Sequence, residues 1–140
     1  MMATKITFMM IKPEAVKNLQ TGRILDHILT AGFKLIALKM FYLTPDKASK
    51  FYEVHKDRPF YNGLIEFISS GPVVAGILEK ENAVDDFRTL IGATNPSEAA
   101  EGTIRRLFGT SLQKNAIHGS DSEDNAIREA AFFFSEFERV

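Results

Sequence analysis

Residues 115–121, with the sequence N-A-I-H-G-S-D, combine the side chains best suited to chemistry in this chain. His118 is largely neutral at pH 7, so its imidazole has a lone pair that can act as a nucleophile. Gly119 leaves the backbone beside it unrestricted. Ser120 and Glu123 have the spacing of a capping box, which predicts a helix N-terminus that favours an anion. The segment fits either a phosphate-accepting histidine or an ordinary loop histidine next to a helix cap.

Several cationic side chains have the chemistry to bind phosphate. Arg88, Arg105 and Arg106 flank a long irregular segment, and guanidinium groups match phosphate oxygens geometrically. Lys12 stands at the end of an apolar stretch, where ligand sites often collect in α/β sheets. Phe60 follows a proline and is placed to stack on a base. Without a fold that gathers them, the same residues are equally consistent with solvated surface cations and a core phenylalanine.

Metal and nucleotide-loop motifs are excluded by spacing. His27 lies within an amphipathic helical pattern and His55 at the end of another, so the histidines lack the i, i+4 spacing of a zinc site. Residues 71–76 have the glycine spacing of a P-loop, but Ile77 replaces the lysine that must reach the phosphates. Any nucleotide site here must work without that loop.

Composition places the chain among ordinary globular proteins. It has 17 basic and 18 acidic residues, a formal net charge of −1, and no cysteine. This balance argues against broad binding to nucleic acid or anionic lipid, and the absence of cysteine excludes disulfides and thiolate metal sites. The first residues lack the hydrophobic region of a signal peptide. We therefore expect one domain over residues 1–140, in the cytoplasm, with no membrane segment.

Hydrophobic periodicity and breaker residues predict alternating strands and helices. Strands are expected over residues 4–11, 33–43, 73–78 and, in the aromatic tail, 132–137. Helices are expected from Thr21 to Gly32, from Thr44 to His55, after Pro59, over 83–91, near 103–107, and from Ser120 onward. This order predicts an α+β sandwich with helices against an open sheet. Residues 92–119 remain irregular, and so long a loop usually has a function.

Together these motifs resemble the nucleoside diphosphate kinase family over essentially the whole chain. The segment at 115–121 carries the family's signature, and further matches follow in the right order. They are Ile11-Lys12-Pro13, Asp57-Arg58-Pro59-Phe60, Ser70-Gly71-Pro72-Val73, Gly92-Ala93-Thr94-Asn95-Pro96 and Gly102-Thr103-Ile104-Arg105. The resemblance implies a ferredoxin-like α/β sandwich with a four-stranded antiparallel sheet. It also implies a ping-pong reaction in which a nucleoside triphosphate phosphorylates His118, which then phosphorylates a diphosphate.

The resemblance also implies roles for individual residues. The positions that match catalytic residues are His118, Glu129, Ser120 and Tyr52, with Glu129 and Ser120 orienting the histidine. The positions that match nucleotide-binding residues are Lys12, His55, Phe60, Arg88, Thr94, Arg105, Leu112 and Asn115. Phe60 and Leu112 would enclose the base, so every base would be accepted. Lys12 and Asn115 would hold the sugar hydroxyls, with Lys12 also near the transferred phosphate. Arg88, Thr94 and Arg105 would bind phosphate oxygens, with His55 nearby. Mg²⁺ would bind to the nucleotide's phosphates rather than to a protein site.

The chain departs from the family pattern at two places. Glu14-Ala15 stands where an acidic residue and glycine are common, which we expect to be harmless. Arg106-Leu107 replaces a small residue and an aspartate, so Arg106 is a second candidate for the phosphates. The family resemblance implies a homo-oligomer, either a hexamer or a tetramer. A histidine phosphatase and a non-catalytic nucleotide-binding protein are the alternatives, although the phosphatases carry Arg-His-Gly where this chain has Lys12-Pro13.

Overall fold

The computed structural model describes residues 5–140. The expectations drawn from residues 1–4, the start of the first strand and part of the absence of a signal peptide, lie outside the described residues. The first strand begins at Ile6, where apolar side chains start to occupy both faces of the sheet.

A four-stranded antiparallel sheet forms the centre of the fold. Its strands are β1 (Ile6–Ile11), β2 (Lys34–Tyr42), β3 (Pro72–Glu79) and β4 (Ile117–Gly119), in the order β2-β3-β1-β4. β1 and β3 are central and almost wholly buried, and Phe8 pairs with Ile77 between them. This order and the crossing helices give the ferredoxin-like α/β sandwich that the family resemblance implied, so the predicted fold class is confirmed.

Helices cover both faces of the sheet. They are α1 (Pro13–Lys17), α2 (Thr21–Thr30), α3 (Pro45–Phe51), α4 (Tyr61–Ile68), α5 (Ala83–Ile91), α6 (Ile104–Phe108) and α7 (Glu123–Phe133). One apolar core joins β1 to α2 and α5 through residues such as Ile24, Ile28 and Phe87. The other joins it to α3, α4 and α7 through residues such as Phe51 and Ile68. The periodic apolar residues of each helix therefore define the face it buries.

The predicted fourth strand in the aromatic tail is wrong. Residues up to Phe133 continue α7, and residues Glu136–Glu138 form a single 3-10 turn. The fourth strand is instead the three-residue β4, whose Met10–His118 and Met9–Gly119 pairs attach it to the free edge of β1. The aromatic tail does not form a strand. Its Phe133 is part of the core, where it stacks on Phe8 with 5.3 Å between the ring centroids.

Three predicted helix boundaries also change. Ser122, not Ser120, caps α7, and its hydroxyl accepts a hydrogen bond from the Asn125 amide, so the predicted capping box at Ser120 is wrong. Thr21 is the first residue of α2 rather than its cap. The helix predicted to reach His55 ends at Phe51 and is followed by a 3-10 turn over Glu53–His55. The cap predicted at Thr44 is present, with its hydroxyl accepting from the Lys47 amide.

Candidate active site

His118 lies in the middle of β4 and points toward the core beneath α3 and α7. Three aromatic rings surround it, with centroids 5.9 Å away for Phe8, 5.6 Å for Phe51 and 6.2 Å for Tyr52. The Phe51 and Tyr52 rings stand nearly perpendicular to the imidazole, and one-fifth of the histidine side chain is exposed (20%). The ring is thus held rigidly while part of it remains accessible.

A chain of hydrogen bonds fixes the imidazole in the plane of its ring. Its Nε2 lies 2.9 Å from Glu129 Oε1, and the Ser120 hydroxyl donates to the same oxygen over 2.7 Å. Ser120 in turn accepts a hydrogen bond from the Phe8 amide at 3.3 Å. Because β1 anchors Ser120 and α7 anchors Glu129, two separate elements set the orientation of His118.

This arrangement determines which nitrogen can react. An ionised Glu129 can only accept hydrogen bonds, so Nε2 of His118 must carry the proton and Nδ1 is left with its lone pair. Burial by itself raises the pKa of Glu129, but the hydrogen bond from His118, the charge of that ring whenever it is protonated, and the bond from Ser120 hold the pKa below its ordinary value. Glu129 is therefore a carboxylate at neutral pH, and Nδ1 of the neutral imidazole is the available nucleophile.

Buried cationic groups lie next to β4. The two terminal nitrogens of Arg105 donate to the carbonyls of Gly92 (3.0 Å) and Ile117 (2.9 Å), beside the histidine. Burial and the charge of Arg88 lower the pKa of Arg105 to about 10, which leaves the guanidinium charged at neutral pH. Lys12 is 7% exposed, and burial and Arg105 lower its pKa to about 8, although Glu14 opposes the shift. Like charges held together in this way are suited to an anionic ligand.

Three buried polar atoms near this cluster have no hydrogen-bond partner in the described structure. They are Oη of Tyr52, Nε of Arg105 and Oδ1 of Asn115. Burial and then the charge of Glu129 raise the pKa of Tyr52, so its hydroxyl remains a donor. The amide of Asn115 is held by its Nδ2 donating to the Thr94 carbonyl at 3.0 Å. Since buried polar groups normally have partners, these atoms indicate a polar ligand site.

An aromatic series extends from the histidine to the surface. Ring centroids are 6.4 Å apart between Tyr52 and His55, and 5.8 Å between His55 and Phe60. Phe60 is 52% exposed and Leu112 is 63% exposed. Gln113 lies against Gly63. If Gly63 had a β-carbon, that atom would be 3.3 Å from Nε2 of Gln113. The loop that carries Leu112 therefore lies beside the start of α4, close to Phe60.

Comparison with known proteins decides the family. A family model described as nucleoside diphosphate kinase matches residues 5–139. The chain is 59% identical over 134 residues to a nucleoside diphosphate kinase from Flavobacterium psychrophilum, with 96% of each chain covered. It is 52% identical over 139 residues to that of Persephonella marina, with 99% of each covered.

The chain belongs to the nucleoside diphosphate kinase family.

Solved structures of the family share the same fold. The structure resembles the nucleoside diphosphate kinase of Aquifex aeolicus with a TM-score of 0.96 and 48% identity, over 99% of this chain and 100% of the other. It resembles the Halobacterium salinarum enzyme, solved in complex with CDP, with a TM-score of 0.94 and 41% identity, over 99% and 92% of the two chains. As a nucleoside diphosphate kinase, this chain is a phosphotransferase.

The structure brings most of the residues that match the kinase family into one region. His118, Glu129, Ser120 and Tyr52 are in contact. The charges of Lys12, Arg88 and Arg105 interact with one another, and that of Arg105 also with Tyr52. Asn115, three residues before His118, is hydrogen-bonded to Thr94. Phe60, His55 and Leu112 lie at its edge. Arg106 does not join them, because it is exposed and its Nη1 donates to the Ser97 carbonyl at 3.1 Å.

Two predictions about the residues around His118 need correction. The helix end expected beside it belongs to α7, which begins at Glu123 with Asp124 following, so its first turn already carries carboxylates. Positive side chains, rather than a helix dipole, therefore make the surroundings of His118 favourable for an anion. Gly119 is not required for backbone freedom: a β-carbon there would lie 2.9 Å from the Phe87 ring and 3.0 Å from Ile91, so its absence allows α5 to pack closely.

Sequence reasoning missed three residues that contact the candidate site or the loop before it. Phe8 and Phe51 enclose the histidine, and their spacing signalled only a core position. Glu14 was noted only as the acidic residue before Ala15, and its carboxylate accepts a hydrogen bond from the loop that precedes His118. Among residues 5–140 no group of three or more histidine or acidic side chains is arranged to hold a metal ion. No helix in the same range is long and apolar enough to cross a membrane.

Proposed function

We propose that this protein transfers the γ-phosphate of a nucleoside triphosphate, typically ATP, to a nucleoside diphosphate through a phosphohistidine at His118. The observation that carries the proposal is the 2.9 Å contact of Nε2 with Glu129, which leaves Nδ1 as the nucleophile. Family membership supports the reaction class, and the partly exposed ring supports access by a substrate.

Each half-reaction moves one phosphoryl group. The Nδ1 lone pair attacks the γ-phosphorus, the new N–P bond forms as the bond to the bridging oxygen breaks, and the nucleoside diphosphate leaves. Nδ1 has no proton to lose, and Nε2 keeps the proton that it donates to Glu129. The ring becomes positive as the N–P bond forms, and the Glu129 carboxylate stabilises that charge. An acceptor diphosphate then reverses the same steps.

The proposed binding residues have separate tasks. Phosphoryl transfer depends mostly on positioning and charge neutralisation. Lys12, Arg88 and Arg105 neutralise the charge of the transferred phosphoryl group. Thr94 and His55 lie nearby. Asn115, whose Oδ1 is buried without a partner, is suited to a sugar hydroxyl, together with Lys12. Tyr52 contributes its hydroxyl beside the histidine. Phe60 and Leu112 hold the base without reading its edge, which gives broad base specificity.

We also propose that Mg²⁺ enters with the nucleotide and remains on its phosphates. The donor set at the site fits this: the charged side chains around His118 are mainly cationic, and the carboxylate of Glu129 is engaged by His118 and Ser120. Mg²⁺ commonly binds to substrate phosphates and water with few protein ligands. There it would neutralise charge on the β- and γ-phosphate oxygens.

Lys12 makes nucleotide binding sensitive to alkaline pH. Its pKa of about 8, lowered chiefly by burial, means that the ammonium charge is lost as pH rises through that value. The nucleotide's terminal phosphate is fully ionised well below this range, since its last pKa is about 6. The dissociation constant for ADP, measured by calorimetry from pH 7.5 to 9, should therefore increase with pH. Lys12→Met should bind more weakly with a flat profile. A flat wild-type profile would contradict the role of Lys12.

Phe60 is expected to contribute similarly to the binding of every base. Phe60→Ala should weaken binding of ADP, GDP, CDP and dTDP by about 1–3 kcal/mol each, since each base loses one stacking face. Equilibrium dialysis with the four diphosphates measures this, and the control is Phe137→Ala, which removes a fully exposed ring elsewhere on the surface. Opposite effects on purines and pyrimidines would show that another group reads the base.

The experiment that tests the mechanism follows the phosphate. The purified chain is mixed with γ-labelled ATP and Mg²⁺, and the protein is tested for label that is acid-labile and alkali-stable. GDP or dTDP is then added. Label that moves from protein to the diphosphate supports the ping-pong kinase. Label that ends as free phosphate would support a histidine phosphatase instead, and unlabelled protein would support a non-catalytic nucleotide-binding protein.

We also propose that the protein forms a homo-oligomer and is located in the cytoplasm. β2 is an edge strand, and Leu38, Met40 and Tyr42 on it are 43%, 59% and 72% exposed. Apolar side chains on a sheet edge favour burial against another chain, which supports a homo-oligomer. Native mass spectrometry would distinguish the tetramer from the hexamer. The absence of cysteine is in keeping with a reducing compartment, and we propose the cytoplasm.

A further inference from the structure

Ala116 has a backbone conformation that residues with a side chain rarely adopt. Its φ is +77°, and Ile117 N donates to the Asn115 carbonyl at 3.0 Å across it. These features define a three-residue turn of the strained kind with a positive central φ. Such conformations persist only where the surrounding structure holds them, and they concentrate at functional sites.

The turn stands at a critical place in the chain. Asn115 immediately precedes it, and β4, with His118 at its centre, immediately follows it. The direction in which the chain leaves Ala116 decides whether Ile117 pairs with Ile11 and His118 with Met10. A small rotation of this one peptide would therefore move the histidine and the asparagine relative to each other.

Two contacts from a distant segment hold the Ala116 residue on both sides. Its carbonyl accepts a hydrogen bond from Lys12 N at 2.9 Å. Its N–H donates to Oε1 of Glu14 at 2.9 Å, across 102 positions of the sequence. The first contact is one between backbone groups, so any residue at position 12 other than proline can make it. The second depends on the side chain at position 14.

We propose that Glu14 is a positioning residue for phosphate transfer, whose carboxylate clamps the strained turn at Ala116 and so sets the relative positions of His118 and Asn115. The inference rests on the proposed function of His118 and adds to it a residue that touches neither nucleotide nor phosphate. What the turn requires is a hydrogen-bond acceptor at the position of Oε1, rather than a negative charge.

The environment of Glu14 favours this role over an ordinary helix-terminal acid. Glu14 is in the first turn of α1, but its side chain is directed inward and is partly buried. Burial raises its pKa, although the bond from Ala116 opposes the shift. Oε2 is buried without a hydrogen-bond partner, so the contact with Ala116 is the hydrogen bond that its carboxylate makes to another segment. An acidic side chain that only stabilised the N-terminus of the helix could face solvent and avoid the cost of burial.

Three variants separate the clamp from its alternatives. Glu14→Ala removes the acceptor, and Glu14→Gln keeps an oxygen at Oε1 but removes the charge. Asp46→Ala is the matched control, because Asp46 follows the first-turn proline of α3 as Glu14 follows that of α1, yet it is exposed. If Glu14→Ala does not fold, Glu14→Met replaces it with a side chain of similar volume and no oxygen acceptor.

The kinetic measurement is the single-turnover rate of His118 phosphorylation at saturating Mg-ATP. Glu14→Ala should reduce this rate about tenfold, since small displacements of reacting groups are costly, while Glu14→Gln and Asp46→Ala stay within about threefold of wild type. Wild-type rates in Glu14→Ala would overturn the inference. Equal losses in Glu14→Ala and Glu14→Gln would also overturn it, because they would show that the charge is what matters.

A second background tests whether Glu14 acts through the turn. Ala116→Gly makes a positive φ acceptable without a clamp. In that background Glu14→Ala should cost about threefold rather than tenfold, because coupled sites are not additive. An undiminished tenfold loss would show that Glu14 acts elsewhere.

A measurement that needs no activity keeps this inference distinct from the proposed function. Amide hydrogen exchange at Ala116 should accelerate about tenfold in Glu14→Ala and remain protected in Glu14→Gln, with Met9 unchanged as the internal reference. If wild-type protein takes no label from ATP, the mechanism at His118 is wrong, whereas exchange still decides the clamp. If wild type is labelled and exchange at Ala116 does not respond to Glu14→Ala, the clamp alone is wrong.

Discussion

His118→Ala is expected to lower phosphate transfer by at least about 10⁴-fold, because it removes the proposed nucleophile. Nucleotide affinity should stay within a few-fold of wild type, since the proposed binding groups are Phe60, Lys12 and the arginines. Turnover with ATP and dTDP, and the dissociation constant for ADP, measure the two effects separately.

The control for that variant is His27→Ala. His27 lies in α2, whose apolar residues face the opposite side of the sheet, so its loss should leave transfer unchanged. A His118→Ala protein that still turned over at a near-normal rate would disprove the phosphohistidine mechanism. Loss of ADP binding together with activity would instead mean that the imidazole is also part of the binding surface.

The site is held by pairs of elements that are distant in sequence, and this limits what the sequence can predict. The residue types of the candidate site could be named from the family motifs, because phosphoryl transfer through a histidine requires an imidazole, a carboxylate and cations. Their orientation could not. Glu14 and Ala116 meet across 102 positions, and no local pattern records their contact. The same applies to Arg105, whose partners are two backbone carbonyls.

Strands and helices were predictable to the extent that their burial follows a period. β1 and β3 are central and carry long apolar runs, and α5 has a clear apolar face. β4 has only three residues, too few for any alternation to be detected. It forms because its backbone pairs with the edge of β1. The aromatic tail suggested a strand by residue type, but its phenylalanines are used for core packing. Tertiary context overrides residue preference in both cases.

Glu129→Ala is expected to reduce phosphate transfer on the order of 10²- to 10³-fold. Without the carboxylate, the proton of His118 is free to occupy either ring nitrogen, and the positive charge of the phosphorylated ring loses its counterion. Ser120 also loses the acceptor of its hydroxyl. Single-turnover phosphorylation of the wild type and the variant measures the effect, and Asp124→Ala, an exposed acid on the same helix, should leave the rate unchanged.

Glu129→Gln separates the charge of this residue from its hydrogen bonds. Its amide oxygen can still accept from Nε2, so the tautomer is partly preserved, and an intermediate rate is expected. The pKa of Glu129 in the folded protein lies below its ordinary value of about 4.3. Its charge therefore stabilises the fold at every pH above about 4.3. This contribution is lost as the pH falls through the lower pKa of the folded state. The difference in unfolding free energy between wild type and Glu129→Gln, measured in urea, should shrink as pH falls below about 4. A difference that did not vary with pH would mean that Glu129 holds His118 by shape alone, and the proposed stabilisation of the phosphorylated ring by charge would then be wrong.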